Sequence, residues 1–151
     1  MYTKKVRVKK LKESREIMEL RQTDVSKDMG VAPTTVSGWE NEQDTIPFKR
    51  LIQYANLYNL RLDYLFGISK IIYCKNKISL NYIDTISHNL RLLRKKHNKT
   101  HQEIAEAAGI ARSSYTDYEN GEKLISIKAI EGLLALYGLF SVDELVGRKR
   151  D

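Results

Sequence analysis

Two short segments of the chain carry polar side chains that could hydrogen-bond to the edges of nucleic-acid bases. Residues 30–41 read GVAPTTVSGWEN, and residues 109–120, 79 positions later, read GIARSSYTDYEN. In each segment apolar or aromatic residues recur three apart, so a helix there would turn its short polar side chains away from the core. The outward positions are Pro33, Thr34, Ser37 and Gly38, and then Arg112, Ser113, Thr116 and Asp117. Such a helix fits the major groove of duplex DNA, where base edges present donors and acceptors.

The histidines His97 and His101 are four residues apart, a spacing that suits metal ligation when both lie on one helix. Residues 98–100 instead read as the turn between two helices, and the neighbouring sequence offers no third ligand. Structural zinc almost always needs four ligands. We therefore expect no metal site.

The remaining reactive side chains form no catalytic set. Cys74 has Lys75 and Lys77 beside it, which would favour a thiolate, although a lone cysteine is far more often inert. Ser113 and Ser114 have no adjacent histidine base, and the sequence has no glycine-rich phosphate loop. We expect a protein that is not an enzyme and that uses no cofactor.

The two segments belong to a larger repeat. A short helical stretch precedes each (TDVSKDMG and QEIAEAAG), and an apolar segment ending LDYLFG or VDELVG follows each. Three- and four-residue apolar spacing with little glycine or proline predicts an all-α fold of two tandem five-helix domains. We place these domains at residues 1–67, with a basic leader, and 81–151, joined by a linker at 68–80. The predicted helices lie near 6–19, 22–28, 33–41, 47–58 and 61–66, and near 81–97, 101–107, 112–120, 126–138 and 141–146.

Helix start and stop signals support this division. Gly30 and Gly109 stand where a helix would end in a left-handed residue before a tight turn. Pro33 suits the first position of the next helix, which needs no amide hydrogen. Thr100, three residues before a glutamate, predicts a capping box, whereas Arg21 at the corresponding position cannot cap its helix.

The charge distribution favours a polyanionic partner. The chain carries 26 Lys/Arg and 19 Asp/Glu, a formal net charge of +7. Residues 1–79 hold 15 basic and 9 acidic side chains, whereas residues 80–151 hold 11 and 10. Much of the excess lies near the N-terminus, in Lys4, Lys5, Arg7, Lys9, Lys10 and Lys12. That basic segment could equally be a solvated tail.

The sequence also indicates where the protein acts. No apolar run approaches the length of a membrane span, and the basic N-terminus leads into no apolar signal segment. The single cysteine fits a reducing compartment. We expect a cytoplasmic protein with no membrane association.

The repeated motifs resemble those of the phage-repressor-like (Cro/cI, or XRE-type) helix-turn-helix regulators. The resemblance rests on Gly30-Val31-Ala32 with Trp39-Glu40-Asn41, and on Gly109-Ile110-Ala111 with Tyr118-Glu119-Asn120-Gly121. The endings Leu62-Asp63-x-Leu65 and Val142-Asp143-x-Leu145 match the last helix of that family's domain. The resemblance implies sequence-specific binding of double-stranded DNA by a transcriptional regulator, a repressor, through one or both recognition helices.

The resemblance also implies roles for individual residues. The implied DNA contacts are Gln22, Pro33, Thr34, Thr35, Ser37, Gly38 and Asn41 in the first domain, and His101, Arg112, Ser113, Thr116, Asp117 and Asn120 in the second. Gln22 would bond a phosphate, and Arg112 is the strongest candidate for reading guanine. Arg15 with Glu40, and Arg94 with Glu119, would form partly buried ion pairs that tie the first helix to the recognition helix.

The second domain departs from the family pattern. His101 and Lys99 replace the expected glutamine and leucine, and Asp117 places a negative charge near the phosphates. An alternative function therefore stays open, in which the chain is a protein-interaction or antitoxin-like module. The second helix-turn-helix would then mediate homodimerisation or bind a protein partner.

Overall fold

The chain folds into two helical units. The computed structural model describes residues 8–149, and the basic residues Lys4, Lys5 and Arg7 lie outside them. The units are Met1–Lys75 and Asn76–Asp151. Within the described residues the only β-pairing is an isolated bridge between Leu60 and Tyr73, so the all-α prediction is confirmed.

The described part of the first unit, from Val8 onward, contains five helices: α1 (Leu11–Ile17), α2 (Gln22–Met29), α3 (Pro33–Glu40), α4 (Phe48–Tyr58) and α5 (Leu62–Leu65). The first helix is shorter than the predicted span 6–19. Lys10 donates its backbone N–H to the carbonyl of Leu65 at 3.1 Å, and Val8 is fully buried. The hydrogen bond attaches the segment before α1 to the end of α5, and the helix begins after it, at Leu11.

The second unit repeats this order with α6 (Tyr82–Lys96), α7 (His101–Ala108), α8 (Arg112–Glu119), α9 (Ile127–Leu136) and α10 (Val142–Leu145). Helix α9 ends two residues before the predicted position 138. Tyr137 takes an extended conformation and buries its ring, whose centroid lies 4.6 Å from that of His97. Burial of this ring therefore replaces the last turn of the helix.

The turns before the recognition helices α3 and α8 have the predicted chemistry. Gly30 and Gly109 end their helices with φ of 71° and 68°, and Pro33 is the first residue of α3. The Thr100 hydroxyl accepts the Glu103 N–H at 3.1 Å, and the Glu103 carboxylate accepts the Thr100 N–H at 2.9 Å. The predicted capping box is therefore present.

Arg21 offers no acceptor to α2. The Asp24 carboxylate accepts the Arg21 N–H at 2.8 Å, which is one of the two hydrogen bonds of a capping box. The other bond needs a side-chain oxygen at position 21, which arginine does not have. The Asp24 N–H donates instead to the Arg21 carbonyl at 3.1 Å, whereas the corresponding Glu103 N–H in α7 donates to the Thr100 hydroxyl.

The segment predicted as a linker, residues 68–80, is hydrogen-bonded to the residues between α4 and α5 on one side and to Arg148, after α10, on the other. Arg61 donates its N–H to the carbonyl of Ile72, and Cys74 donates its N–H to that of Asn59, both at 2.8 Å. In the second unit the buried Arg148 side chain donates to the carbonyl of Asn76 at 2.9 Å. The division between the units falls inside this segment, after Lys75. Among the described residues, no helix is long and apolar enough to cross a bilayer.

Candidate nucleic-acid interface

Each recognition helix is held by its own buried face. Val36 and Trp39 on α3 are buried, as are Tyr115 and Tyr118 on α8. The left-handed glycine before each turn lets the following helix cross the preceding one, which is the helix-turn-helix arrangement. The opposite faces of α3 and α8 are consequently directed away from the core.

On the outer face of α3, the residues at the start of the helix are the most exposed. Pro33 and Thr34 are exposed, while Thr35 and Ser37 are half-buried. Asn41, which is exposed, donates its side-chain amide to the Ser37 hydroxyl at 3.0 Å. Ser37 is therefore fixed in orientation and keeps its own hydrogen for another acceptor.

Gly38 does not project outward as the helical spacing predicted. It is buried, and a Cβ built there would lie 3.1 Å from Oδ2 of Asp44. The loop that carries Asp44 folds over this position, and the missing side chain makes room for the loop. Gly38 thus permits the close approach of a loop of the protein itself.

The outer face of α8 differs in charge from that of α3. Arg112 and Ser113 are exposed, Thr116 and Asp117 are half-buried, and Asn120 is exposed at the end of the helix. These residues share one side of α8.

The carboxylate of Asp117 lies 3.3 Å from the Lys123 ammonium. Pairing with Lys123 offsets the negative charge that raised doubt about this helix at a DNA surface.

Behind α3, Arg15 and Glu40 form the predicted ion pair. Arg15 Nε donates to Glu40 Oε2 at 2.7 Å and Nη2 donates to Oε1 at 2.9 Å, which is a bidentate geometry. Burial alone would raise the pKa of Glu40, but hydrogen bonds from Arg15 and Gln22 outweigh it and leave the pKa lowered. The pair joins α1 to the end of the recognition helix.

The second unit contains the same pair between Arg94 and Glu119. Arg94 Nε donates to Glu119 Oε2 at 2.6 Å and Nη2 donates to Oε1 at 3.2 Å. Arg91 adds a bond to the Glu119 carbonyl at 3.1 Å. Burial would raise the pKa of Glu119, but hydrogen bonds from Arg94 and Tyr115 leave it lowered. Both predicted pairs are confirmed.

Gln22 and His101, the first residues of α2 and α7, have a contact that the sequence reasoning missed. Gln22 Nε2 donates to Glu40 Oε1 at 3.1 Å, and His101 Nε2 lies 3.5 Å from Glu119 Oε1. For both residues the sequence predicts only contacts with DNA. The signal was available, because Gln22 precedes Glu40 by 18 residues and His101 precedes Glu119 by the same number.

The structure gives His97 and His101 separate surroundings. His97 Nδ1 lies 3.0 Å from the carbonyl of Leu93, while His101 faces Thr116 and Glu119. Across residues 8–149, no group of three or more His, Cys, Asp or Glu side chains is arranged to hold a metal ion.

Comparison with known proteins places both units in one family. The helix-turn-helix family model matches residues 11–65 and again residues 90–145, which together make up most of the chain. No solved structure is significantly similar to the chain.

Three curated relatives are similar over single-domain lengths. The HTH-type transcriptional regulator AnsR of Bacillus subtilis is 41% identical over 58 residues, 38% of this chain and 49% of that protein. The uncharacterized HTH-type transcriptional regulator YobD of the same organism is 42% identical over 62 residues, covering 41% and 54%. The antitoxin PezA of Streptococcus pneumoniae is 35% identical over 65 residues, covering 43% and 40%. The aligned parts thus span about half the length of these relatives. On its two matches to the family model, the chain belongs to the helix-turn-helix family, with two tandem copies of the domain.

Proposed function

We propose that the protein is a transcriptional regulator that binds double-stranded DNA sequence-specifically and acts as a repressor in the cytoplasm. The observation that carries this proposal is the matched pair of helix-turn-helix units, each of which directs a polar face of its recognition helix away from the core. The net charge of +7 and the HTH-type transcriptional regulators among the relatives support it. Repression would follow from occupation of the DNA site itself.

The first unit combines phosphate contact with limited base reading. The Gln22 side chain uses one amide hydrogen on Glu40, so its second hydrogen remains for a phosphate oxygen. At the start of α3 the Thr34 hydroxyl, which both donates and accepts, is exposed to base edges. Ser37 adds a donor, because Asn41 already occupies it as an acceptor.

The second unit would read a different sequence. Arg112, at the exposed start of α8, can bond guanine O6 and N7 together. Its counterpart in α3 is Pro33, which has no such donors. The two half-sites read by the units should therefore differ.

A second candidate function is association with another protein molecule through the second unit. On that unit Leu92 and Leu139 expose 53% and 88% of their surfaces beside a groove lined by Leu93, Phe140 and Leu145. Exposed apolar surface of this kind favours a protein contact, with a second copy of the chain or another protein. The antitoxin among the relatives gives this alternative its specific support.

Selection from a pool of random duplexes, with sequencing of the bound fraction, tests the proposal. We expect an enriched motif for the intact chain. Arg112→Ala should relax one guanine position by about 1–3 kcal/mol, and Gln22→Ala should weaken all sites alike. Lack of enrichment would favour the interaction module, and a motif indifferent to Arg112→Ala would restrict DNA reading to the first unit.

A further inference from the structure

The Thr116 hydroxyl on the recognition helix α8 has a titratable partner. Its Oγ1 lies 2.8 Å from Nδ1 of His101, at the start of α7. A hydroxyl carries one hydrogen and two acceptor lone pairs, so what it offers outward depends on what His101 offers to it. Thr116 is half-buried on the side of α8 that also carries Arg112.

The far nitrogen of His101 is oriented by a carboxylate. Nε2 lies 3.5 Å from Oε1 of Glu119, whose other oxygen accepts from Arg94 at 2.6 Å. An ionised carboxylate only accepts hydrogen bonds, so a neutral imidazole that carries its hydrogen on Nε2 fits this contact. Nδ1 is then an acceptor, and Thr116 donates its hydrogen to it. On the outer side of α8 the Thr116 hydroxyl can then only accept hydrogen bonds.

Three other groups surround this contact. Arg91 on α6 approaches Oε1 of Glu119 to 4.0 Å, Arg94 on the same helix holds the carboxylate, and the Tyr115 ring on α8 lies edge-on to the imidazole at 5.5 Å. Two arginines and one carboxylate therefore set the field at His101. Glu119 is the acidic group in contact with the ring.

We propose that His101 sets the hydrogen-bond polarity of Thr116, and through it which base edge the second recognition helix accepts. This inference rests on the proposed DNA-binding function. With neutral His101, Thr116 is an acceptor and matches the amino groups of cytosine N4 or adenine N6. With protonated His101 both ring nitrogens donate, so Thr116 accepts from the ring. Its own hydrogen then turns to an acceptor such as guanine O6 or thymine O4.

The first unit has the opposite and fixed polarity at the matching position. Ser37 corresponds to Thr116, and Ser37 accepts a hydrogen from the Asn41 amide at 3.0 Å. Its own hydrogen is free to donate. Gln22, which corresponds to His101, does not titrate. The half of the motif read by the first unit is therefore an internal control.

Selection from random duplexes at about pH 7.5 and about pH 5.5 tests the inference. At one position of the second half-site we expect the preference to move from cytosine or adenine to guanine or thymine. The ratio should change about three- to tenfold, the worth of one hydrogen bond. The first half-site should keep its preference.

Three variants show whether His101 acts through the hydrogen-bond polarity of Thr116 or only stabilises the fold. His101→Gln, which copies the first unit, and Thr116→Val should each remove the pH effect. Thr116→Ser should retain it. A motif that is enriched but unchanged by pH, or a pH effect that survives in Thr116→Val, would overturn the inference and leave the proposed function standing.

The tautomer is measurable without DNA. Long-range ¹H–¹⁵N spectra of the intact chain near pH 7.5 should show His101 with its hydrogen on Nε2. A hydrogen on Nδ1 would overturn the inference whatever the DNA results. Absence of any enriched motif, by contrast, would overturn the proposed function and this inference with it.

Discussion

Replacing Gly132 by alanine should destabilise the second unit, although alanine is the better helix former. Gly132 lies in α9, and a Cβ built on it would be 2.4 Å from Cα and 2.7 Å from Cβ of Ala108 in α7. The nearer atom belongs to the backbone and cannot rotate away. The two helices must therefore separate to admit a methyl group.

The magnitude follows from two opposing contributions. Overpacking in a well-filled core costs about 1–3 kcal/mol, and a backbone clash at Ala108 belongs at the upper end. Alanine at a helix interior recovers about 1 kcal/mol relative to glycine. The net loss is about 2 kcal/mol, which lowers the melting temperature of a unit of this size by roughly 10 °C.

Gly138→Ala is the matched control. Nothing lies within 4 Å of a Cβ built there, and its φ is not in the left-handed region. This variant should gain about 0.4–1 kcal/mol, because alanine restricts the unfolded chain.

Urea unfolding followed by circular dichroism measures both variants. The fluorescence of Trp39, the single tryptophan, reports on the first unit as a reference. A Gly132→Ala variant as stable as the wild type, or more stable, would refute the packing argument.

Three further predictions concern the ion pairs and a helix cap. Arg94→Met removes the main partner of Glu119, which exposes 2% of its side chain. The free energy of unfolding in urea should fall by about 3 kcal/mol. A loss below about 1 kcal/mol would contradict the assignment of this contact as a buried ion pair. Because the folded-state pKa of Glu40 and of Glu119 is lowered from 4.5, both ion pairs contribute stability above that pH, and it is lost as pH falls through the folded values. Unfolding free energies measured down from pH 5 should fall less steeply in Glu40→Gln than in the wild type, and parallel curves would count against this linkage. Thr100→Ala should cost about 1 kcal/mol in thermal unfolding, whereas Arg21→Thr should raise the melting temperature by completing the cap of α2.

The repeated motif was enough to predict the number and order of the described helices, although not all of their ends. Apolar spacing and the two left-handed glycines located the turns, since these depend on residues close in sequence. The Arg15–Glu40 and Arg94–Glu119 pairs followed from the family resemblance, and the structure confirms both.

Other features depend on distances between helices, which spacing along one helix does not encode. The approach of Gly132 to Ala108 depends on how closely α7 and α9 pack. In the first unit the matching residues are Gln53 and Met29, and there the Gln53 amide donates to the Met29 carbonyl at 3.2 Å. The same topology therefore tolerates two different contacts at one place.

Burial of Gly38 under the following loop was missed for the same reason. The spacing of Val36 and Trp39 located the inner face of α3, but it carries no information about a loop that folds back over the outer face. Contact between His101 and Thr116 likewise requires α7 and α8 to cross at a particular distance.

We expect both recognition helices of one chain to read DNA, and a hydroxyl-radical footprint of the intact protein on a selected duplex tests this most directly. The footprint should show two separate protected patches on the duplex. Arg112→Ala should weaken protection at one of them and leave the other unchanged. A single patch that is indifferent to Arg112→Ala would contradict the claim and assign the second unit to protein association.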